Sequence, residues 1–423
     1  MSSLVAEDSS ILKESWYHGF LPREDMACML KERGDFVVRF SEPIPGQQRS
    51  YIISVMAKID FGMEIKHLEI KHFVIRRHNE RFVIKKENFP SIKSLIEYYV
   101  NSKESISQVS DSVIIINGIA KKEWELDHDT INLTTKLGDG AFGEVMKGEL
   151  TQEKGNTLVA VKKLSSLEKM SKEMIKVIMY EARIMRQFKH PNVIKIYGVA
   201  TGTEPLYIVM ELADEGALDS YLRKDILSNE KKLKMCCDAA LGLEYLHSIP
   251  VIHRDIAARN CLIGNGTLKI ADFGMTREGT YLKIDGNEKI PLRWIAPETF
   301  KEFCYTRYSD IFAYGILVYE IYSNGKIPYE DLSPPLAAVK VAKHGLRLTL
   351  PEEMPPSFKE FIKTKCWADV ANERCTMTEI VNLLCEMTNT ERPFNIPPLD
   401  YSPSGVTNKA KKFIQSMVGN LFT

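Results

Sequence analysis

The chain has little that would direct it to a nucleic acid, a membrane or an oxidising compartment. Lysine plus arginine number 56 among 423 residues, and so do aspartate plus glutamate. The zero formal net charge therefore indicates no bulk polyanionic partner. The eight cysteines include no Cys-x-x-Cys pair, which favours free thiols in a reducing compartment. The most apolar helical run, 311–322, is too short to span a bilayer and contains Glu320.

The start of the chain also carries no recognisable targeting signal. Met1-Ser2-Ser3 lacks the glycine that myristoylation requires, and no signal peptide is visible. At 423 residues the chain is long enough for two domains, of about 100 and about 260 residues, each with its own core.

Two short strings carry the chemistry of phosphoryl transfer. His253-Arg-Asp-Ile-Ala-Ala-Arg-Asn260 is followed, twelve positions later, by Asp272-Phe-Gly274. Asp255 can accept or orient the proton of an attacking hydroxyl group. Asn260 and Asp272 offer amide and carboxylate oxygens that can hold Mg²⁺ against a triphosphate.

A glycine-rich segment and a lysine lie upstream in the order that this chemistry needs. In Gly138-Asp-Gly-Ala-Phe-Gly-Glu-Val145 the glycines let the backbone approach phosphate oxygens. Lys162 ends the next strand, and Glu181 on a helical stretch could hold its ammonium towards the α and β phosphates. Alone, three glycines can form an ordinary hairpin and a Lys–Glu pair can be a surface ion pair. Their order and spacing favour the phosphate site.

Residues 131–386 resemble a protein kinase catalytic domain, and specifically a tyrosine kinase. Ala257 stands where serine/threonine kinases usually carry lysine, and Arg259 gives the tyrosine-kinase variant Ala-Ala-Arg-Asn. Residues 290–298 resemble the substrate-docking loop, where Pro291 would face a phenol ring. The resemblance implies ATP and Mg²⁺ (or Mn²⁺) as cofactors and Asn260 and Asp272 as metal ligands. It implies a catalytic set of Asp255, Arg259, Asn260, Lys162 and Glu181.

The same resemblance implies an adenine site, two structural carboxylates and a regulatory tyrosine. Asp310 matches a carboxylate that braces the catalytic-loop backbone, and Glu298 matches the partner of Arg374. Tyr281 lies where tyrosine kinases accept an activating phosphate, which would pair with Arg254; an ordinary exposed tyrosine is the alternative. The predicted ATP-binding residues are Leu137, Gly138, Asp139, Gly140, Ala141, Phe142, Gly143, Glu144, Val145, Ala160, Lys162, Met210, Glu211, Leu212 and Leu262.

The N-terminal region resembles a Src-homology-2 domain, a family that binds phosphotyrosine. The resemblance is carried by 16–23, 34–41, 70–75 and 89–99. Arg39 lies among apolar strand residues, and a buried guanidinium needs an anion. It matches the phosphate-binding arginine of the family. Arg23, Ser41 and His72 match the supporting positions. A lone arginine in such a strand would otherwise be expected to reach out to water.

Two positions depart from the pattern of that domain. Phe40 replaces the glutamate of the family string Arg-Glu-Ser, and Val74 stands where Src-type members place a second basic residue. We therefore expect the phosphate pocket to depend on Arg23 and Arg39.

The tandem order and the joint at 121–131 resemble the Fes/Fer group of tyrosine kinases. In that group the phosphotyrosine-binding domain packs on the upper lobe and promotes activity, and we expect the same here. Members of the group normally begin with a membrane-bending helical module, which we expect this chain to lack.

The fold class is predicted as α+β with two domains, a Src-homology-2 domain and a bilobal kinase. The predicted boundaries are an N-terminal tail (1–15), a phosphotyrosine-binding domain (16–115), a linker (116–130), a kinase domain (131–390) and a flexible C-terminal tail (391–423). In the kinase domain a small sheet-rich lobe is expected to join a larger helical lobe.

These features predict a non-receptor protein tyrosine kinase that is recruited or activated through its phosphotyrosine-binding domain. Its partners would be protein tyrosine substrates and phosphotyrosine-containing proteins, with no nucleic acid and no transmembrane segment. The location would be cytoplasmic, with recruitment to cell junctions or the cell cortex. The alternative is an adaptor with an inactive kinase fold; it would be favoured by loss of Lys162, Asp255 or Asp272, and all three are present.

Overall fold

The computed structural model describes residues 9–61, 66–107, 113–140, 143–153, 155–164, 170–284, 288–394 and 396. The chain divides into two compact units, and each is described by itself. The first unit comprises the chain up to Arg183 together with 196–211, and the second comprises 184–195 and the chain from Leu212 onwards. Ala141, Phe142, residues 1–8 and most of the C-terminal tail lie outside the described residues.

The first unit begins with a domain built on a six-stranded sheet, named here the six-stranded domain (residues 9–118). Its strands follow the order β5-β4-β3-β2-β1-β6, antiparallel except that β6 runs parallel to β1. The elements are α1 (Arg23–Met29), β1 (Asp35–Ser41), β2 (Ser50–Phe61), β3 (Lys66–His78), β4 (Arg81–Ile84), β5 (Glu87–Phe89), α2 (Ile92–Ser102) and β6 (Asn117–Gly118).

Local sequence explains the ends of these elements. Pro22 precedes α1, and Ser91 caps α2 in a capping box with Ser94, which satisfies backbone groups at the start of the helix. Strand β1 is buried along almost its whole length, as expected of a central strand. Strand β6 lies in the segment that the sequence analysis assigned to a linker, so this linker contributes to the sheet.

The first unit continues with a second, antiparallel sheet, named here the five-stranded domain. Its strands follow the order β10-β11-β9-β8-β7, and their apolar side chains form one core that includes Ile131, Leu150, Val159, Val161 and Val209. The elements are β7 (Ile131–Gly140), β8 (Gly143–Gln152), β9 (Gly155–Leu164), α3 (Lys172–Met185), β10 (Ile196–Ala200) and β11 (Leu206–Glu211).

The second unit is mainly helical, with two long central helices, α5 and α7, whose residues are almost all buried. No helix in the described ranges is long and apolar enough to cross a membrane. The helices are α4 (Leu218–Lys224), α5 (Asn229–Ser248), α6 (Pro297–Glu302), α7 (Arg307–Tyr322), α8 (Pro334–His344), α9 (Pro356–Phe361) and α10 (Met377–Thr388). The short strands are β12 (Gly216–Ala217), β13 (Val251–Ile252), β14 (Cys261–Gly264), β15 (Thr267–Ile270), β16 (Arg277–Glu278), β17 (Tyr281–Lys283) and β18 (Cys304–Thr306). The expected α+β architecture is present.

Within the first unit, the six-stranded domain packs directly on the five-stranded domain. The backbone N–H of Phe20 donates to the carbonyl of Thr201 at 2.9 Å, and the hydroxyl of Thr201 donates to the carbonyl of His18 at 3.2 Å. The imidazole of His18, fully buried, contacts the Glu125 carboxylate at 2.6 Å. The packing expected from the Fes/Fer resemblance is therefore present.

Gly19 is the residue that permits this close approach. Its φ is +56°, and a Cβ at this position would lie 1.9 Å from the Thr201 carbonyl oxygen. We expect Gly19→Ala to destabilise the chain by about 1–3 kcal/mol, because overpacking forces the two domains apart. Gly46→Ala is the control: its φ is also positive (+82°), but no atom lies within 4 Å of the added Cβ. Thermal unfolding measures both variants. If both are destabilised equally, backbone strain at positive φ and not the clash with Thr201 decides the result.

Candidate active site and phosphotyrosine pocket

Lys162 and Glu181 form an ion pair inside the first unit. Lys162 lies on β9 and Glu181 on α3, and the lysine Nζ is 3.3 Å from each carboxylate oxygen. Their side chains are 14% and 7% exposed, so the pair is well shielded from solvent. Shielding strengthens the attraction relative to a surface pair. The contact predicted from the sequence is therefore formed, and it fixes the direction of the Lys162 ammonium.

The predicted phosphate loop lies between β7 and β8. Gly138 and Gly140 belong to the end of β7 and Gly143 begins β8, while Ala141 and Phe142 are outside the described residues. The side chains of Asp139 and Glu144 both pair with Lys136, at 2.6 and 3.1 Å. Both side chains are acidic and would repel a phosphate, so only the backbone N–H groups of these two residues are suited to bind one.

The predicted adenine-binding residues are distributed over both units. In the first unit, Val145 pairs with Lys162 across β8 and β9, Ala160 pairs with Met210 across β9 and β11, and Glu211 ends β11. Leu137 is an exposed apolar side chain. In the second unit, Leu212 follows directly in sequence, and Leu262 pairs with Ala217 across β14 and β12. Val145, Ala160, Met210, Leu212 and Leu262 are all partly exposed.

The catalytic residues of the second unit form one hydrogen-bonded loop. The Asn260 amide donates to Asp255 Oδ2 at 2.7 Å and to the Asp255 backbone carbonyl at 2.8 Å. Arg259 pairs with the other oxygen of the same carboxylate. The carbonyl of Asn260 accepts from the N–H of Ala271, so the residue just before Asp272 is tied to the loop. The arrangement holds Asp255 in a single orientation.

Asp272 follows in a backbone conformation that turns it towards solvent. Its φ is +55°, its side chain is exposed, and the adjacent Phe273 is fully buried between Phe188 and His253. An exposed carboxylate beside a buried aromatic anchor is a suitable oxygen donor for a hard divalent cation.

A buried carboxylate supports the backbone of the catalytic loop. Asp310, 1% exposed, accepts the backbone N–H groups of His253 and Arg254, each at 2.8 Å, and contacts the His247 imidazole at 3.2 Å. Glu298 likewise receives two guanidinium bonds from Arg374, at 2.8 and 2.7 Å. Both structural roles predicted from the sequence are confirmed.

Glu320 is a further loop-supporting residue that the sequence analysis did not assign. Its Oε2 accepts from the backbone N–H of Ala258 at 2.9 Å and from the indole of Trp294 at 3.0 Å. Arg259 stacks on the same Trp294 ring at 4.1 Å, so Glu320 links the catalytic loop to the predicted docking loop. The only sequence signal was a lone glutamate inside an apolar helical run.

Among the described residues, Arg254 and Tyr281 have different partners. The Arg254 side chain is almost fully buried, lies over the Tyr305 ring at 4.7 Å and pairs with Glu288. Tyr281 is 57% exposed on β17, which pairs with β18. Its phenol lies beside the Cys304 thiol, and repulsion from the thiolate form of Cys304 raises the Tyr281 pKa. Glu288 thus forms the ion pair with Arg254 that the sequence analysis assigned to a phosphate on Tyr281.

The predicted phosphate pocket lies on one face of the six-stranded sheet. Arg39 on β1 is 4% exposed, and its Nε donates to Ser54 Oγ at 3.0 Å. Ser54 on β2 also contacts His72 Nδ1 on β3 at 2.9 Å. Burial and then repulsion from Arg39, Arg23 and Lys172 lower the pKa of His72 to about 4. His72 is therefore neutral near pH 7 and serves as a hydrogen-bonding support.

Ser54 is the member of this pocket that the sequence analysis missed. The strand register places it opposite His72 and one diagonal step from Arg39, so all three share a face. Ser41 ends β1 on the same face. Arg23 is the first residue of α1, and its Nε lies 3.8 Å from the carboxylate of Glu24.

A groove of about 750 Å³ opens beside the pocket. Its lining combines apolar and polar side chains, among them Phe73, Val74, Ile84 and Ile106 with Arg76 and Lys85. Val74 lies on the pocket face of β3, two residues from His72, so the groove continues from the pocket along the sheet.

The buried Glu320 gives a pH-dependent prediction. Burial raises its pKa from 4.5 to about 7, so its stabilising contribution is complete below about 4.5 and lost as the pH rises through 7. In the wild type we expect the free energy of unfolding to fall by roughly 3 kcal/mol between pH 5 and 8 because of Glu320. Glu320→Gln keeps the acceptor oxygen but cannot ionise, so this fall should be absent from the variant. Denaturant unfolding at several pH values measures this difference. Glu360→Gln, on the exposed surface of α9, should leave the wild-type pH dependence intact, and an equal effect in both variants would contradict the assignment.

Comparison with known proteins places these sites in a family. The SH2 domain model matches residues 16–99, and the protein tyrosine and serine/threonine kinase model matches residues 131–384. Fer-related kinase 1 of Caenorhabditis elegans is 35% identical over 388 residues, which cover 90% of this chain and 96% of that protein.

Other relatives are longer than this chain. Tyrosine-protein kinase Fer of Homo sapiens is 37% identical over 387 residues, which cover 90% of this chain and 45% of that protein. The tyrosine-protein kinase transforming protein Fps of avian sarcoma virus (strain PRCII) is 37% identical over 363 residues, 84% of this chain and 64% of that protein. The chain therefore spans less than two thirds of both. Its two matched domains, in this order, show that it belongs to the non-receptor tyrosine kinases with an SH2 domain, the group that includes Fer and Fps.

Proposed function

We propose that this protein transfers the γ-phosphate of ATP to tyrosine residues of proteins. The observation that carries the proposal is the catalytic loop, in which Asn260 and Arg259 hold the Asp255 carboxylate in one orientation. A fixed carboxylate can accept a hydrogen bond from the phenol and keep its oxygen in line for attack. Lys162, held by Glu181, would bind the α and β phosphates.

Asp272 and Asn260 fit a divalent cation by their donor chemistry. Both present oxygen atoms, which Mg²⁺ and Mn²⁺ prefer, and Asp272 is exposed. Among the described residues, no three histidine, cysteine or acidic side chains cluster into a metal site of their own. The remaining ligands would therefore come from the phosphates and water. The bound cation would neutralise charge on the phosphates, while the protein supplies position and orientation.

Specificity for tyrosine is supported by the residues around Asp255. Ala257 has a small side chain where a lysine would favour serine or threonine, and Arg259 pairs with Asp255 and stacks on Trp294. Trp294 belongs to the predicted docking loop with Pro291. We propose that this loop receives the phenol ring, whose hydroxyl lies farther from the peptide backbone than that of serine.

We further propose that the Arg39 pocket binds phosphotyrosine on partner proteins and that the adjacent groove accepts the residues that follow. The buried Arg39, supported by Ser54 and neutral His72, suits a phosphate, and the partly apolar groove suits hydrophobic side chains. Binding of this kind would recruit the kinase, within the cytoplasm, to phosphotyrosine-bearing complexes at cell junctions or the cell cortex. A fluorescent fusion whose location is unchanged by Arg39→Ala would contradict this recruitment.

Catalysis is tested with Mg·ATP and a Glu-Tyr copolymer. We expect Asp255→Asn to lower the rate by about 10²–10⁴-fold while ATP still binds, because the general base is lost and the fold is kept. Lys162→Met should also abolish turnover, because the phosphates lose their cation. The matched control is Lys163→Met, which removes the neighbouring lysine on β9 that pairs with Glu144 at 3.6 Å.

Two outcomes would contradict the catalytic assignment. A normal rate in Asp255→Asn would remove its role in proton transfer. A wild-type protein that binds ATP and phosphorylates nothing would favour a scaffold that acts through its phosphotyrosine pocket.

Tyr281 is proposed as a regulatory phosphorylation site, because it is exposed and lies on the segment between Asp272 and the docking loop. A phosphate there would compete with Glu288 for Arg254. We expect mass spectrometry of active protein to find the phosphate, and Tyr281→Phe to lower activity several-fold. Tyr98→Phe, an exposed tyrosine of the six-stranded domain, is the control. Full activity with unmodified Tyr281 would reject the proposal.

A further inference from the structure

A lysine of the five-stranded domain reaches the segment that follows β1 in the six-stranded domain. Lys172 is the first residue of α3, and its Nζ donates to the backbone carbonyl of Glu42 at 2.9 Å. Glu42 is the residue immediately after β1, three positions beyond Arg39. The contact lies within the first unit. An ammonium has three donor N–H groups, so two remain for a ligand after this bond.

Helix α3 is attached to the six-stranded domain near both of its ends. Arg183, near its other end, donates twice to the buried Asp25 of α1, at 2.9 and 2.7 Å. On the approach to the helix, the carbonyl of Met170 accepts from Arg49 at 2.5 Å. These bonds hold the two ends of α3, and therefore the backbone from which Lys172 reaches Glu42.

An acidic side chain beside these cations, Glu24, lies 3.8 Å from the Arg23 guanidinium and 3.0 Å from the Lys176 ammonium. Arg39 donates to Ser54, and within the described ranges no carboxylate lies within ion-pair distance of it. Burial, and then repulsion from Arg23, lowers the pKa of Arg39 to about 10, against the smaller opposing effect of the Glu24 carboxylate. Burial, then repulsion from Arg23, Lys176 and Arg39, lowers the pKa of Lys172. Like charges held together in this way are stabilised by an anion.

The sheet supplies too few cations for a phosphate dianion. Val74, on the same face as Ser54 and His72, is apolar, and His72 is neutral near pH 7. Arg39 is the buried cation on this face, with Arg23 at the start of α1. A doubly charged phosphate is bound best where several donors with positive charge converge.

We propose that the phosphotyrosine pocket is composite, and that Lys172 from helix α3 donates to the same phosphate as Arg39 and Arg23. The inference rests on the proposed phosphotyrosine binding and assigns that site a ligand from outside the SH2 domain. Lys172 then fills the role of the basic residue that Val74 cannot play. The ammonium keeps its bond to the Glu42 carbonyl and directs its remaining N–H groups to the phosphate oxygens.

The test uses the full chain and N-acetyl-phosphotyrosine amide, measured by titration calorimetry at fixed salt. We expect Lys172→Ala to raise the Kd about tenfold, because one charge-assisted contact is lost, and Lys172→Arg to restore most of the affinity. Lys176→Ala is the matched control. It removes the same charge one helical turn away, from a side chain paired with Glu24, and should change the Kd less than about threefold. Thermal unfolding without ligand checks that all variants keep the wild-type fold.

The outcomes separate this inference from the function on which it rests. If the wild-type chain does not bind the ligand, both the phosphotyrosine site and the composite pocket are wrong. If Arg39→Ala abolishes binding while Lys172→Ala binds like wild type, the site stands and the role of Lys172 is overturned. An equal loss in Lys172→Ala and Lys176→Ala would also overturn it, because general charge or domain packing would then explain the effect.

Discussion

The catalytic half of this molecule depends on buried carboxylates that accept backbone N–H groups. Asp310 holds the chain at His253 and Arg254, where Arg254 has a φ of +72°, and Glu320 holds it at Ala258. The two amides bonded to the Asp310 carboxylate offset much of the cost of its burial and keep a strained segment in one conformation. Asp255 is orientated because these hydrogen bonds fix the backbone on both sides of it.

In the first unit the comparable element is helix α3. One of its residues, Glu181, orientates Lys162, and three others, Lys172, Lys176 and Arg183, contact the six-stranded domain. The residue that orientates the proposed ATP-binding lysine and the residue proposed to reach phosphotyrosine therefore lie on the same helix. A displacement of this helix would alter both sites together, whichever of them was disturbed first.

Much of the fold and of the catalytic site could be predicted from sequence because the residues lie in contiguous strings. Asp255, Asn260 and Asp272 are separated by short, fixed spacings, and Asp310 and Arg374 are recognisable by the segments around them. The missing residues have no such context. Ser54 joins Arg39 only through the strand register, and Lys172 lies 133 positions from Arg39 in a segment with no motif. Glu288 could not be foreseen at Arg254 because an ion pair across a loop leaves no pattern.

The contacts of Arg49 and Asp25 have a practical consequence for how the N-terminal region is studied. Arg49 is 9% exposed and pairs with Glu204 as well as with Met170, and Asp25 is 1% exposed against Arg183. A fragment excised after residue 118 would leave both charges without these partners. Peptide libraries screened against such a fragment would report the preferences of an altered surface, and the ranking of ligands for the intact kinase would have to be measured on the intact kinase.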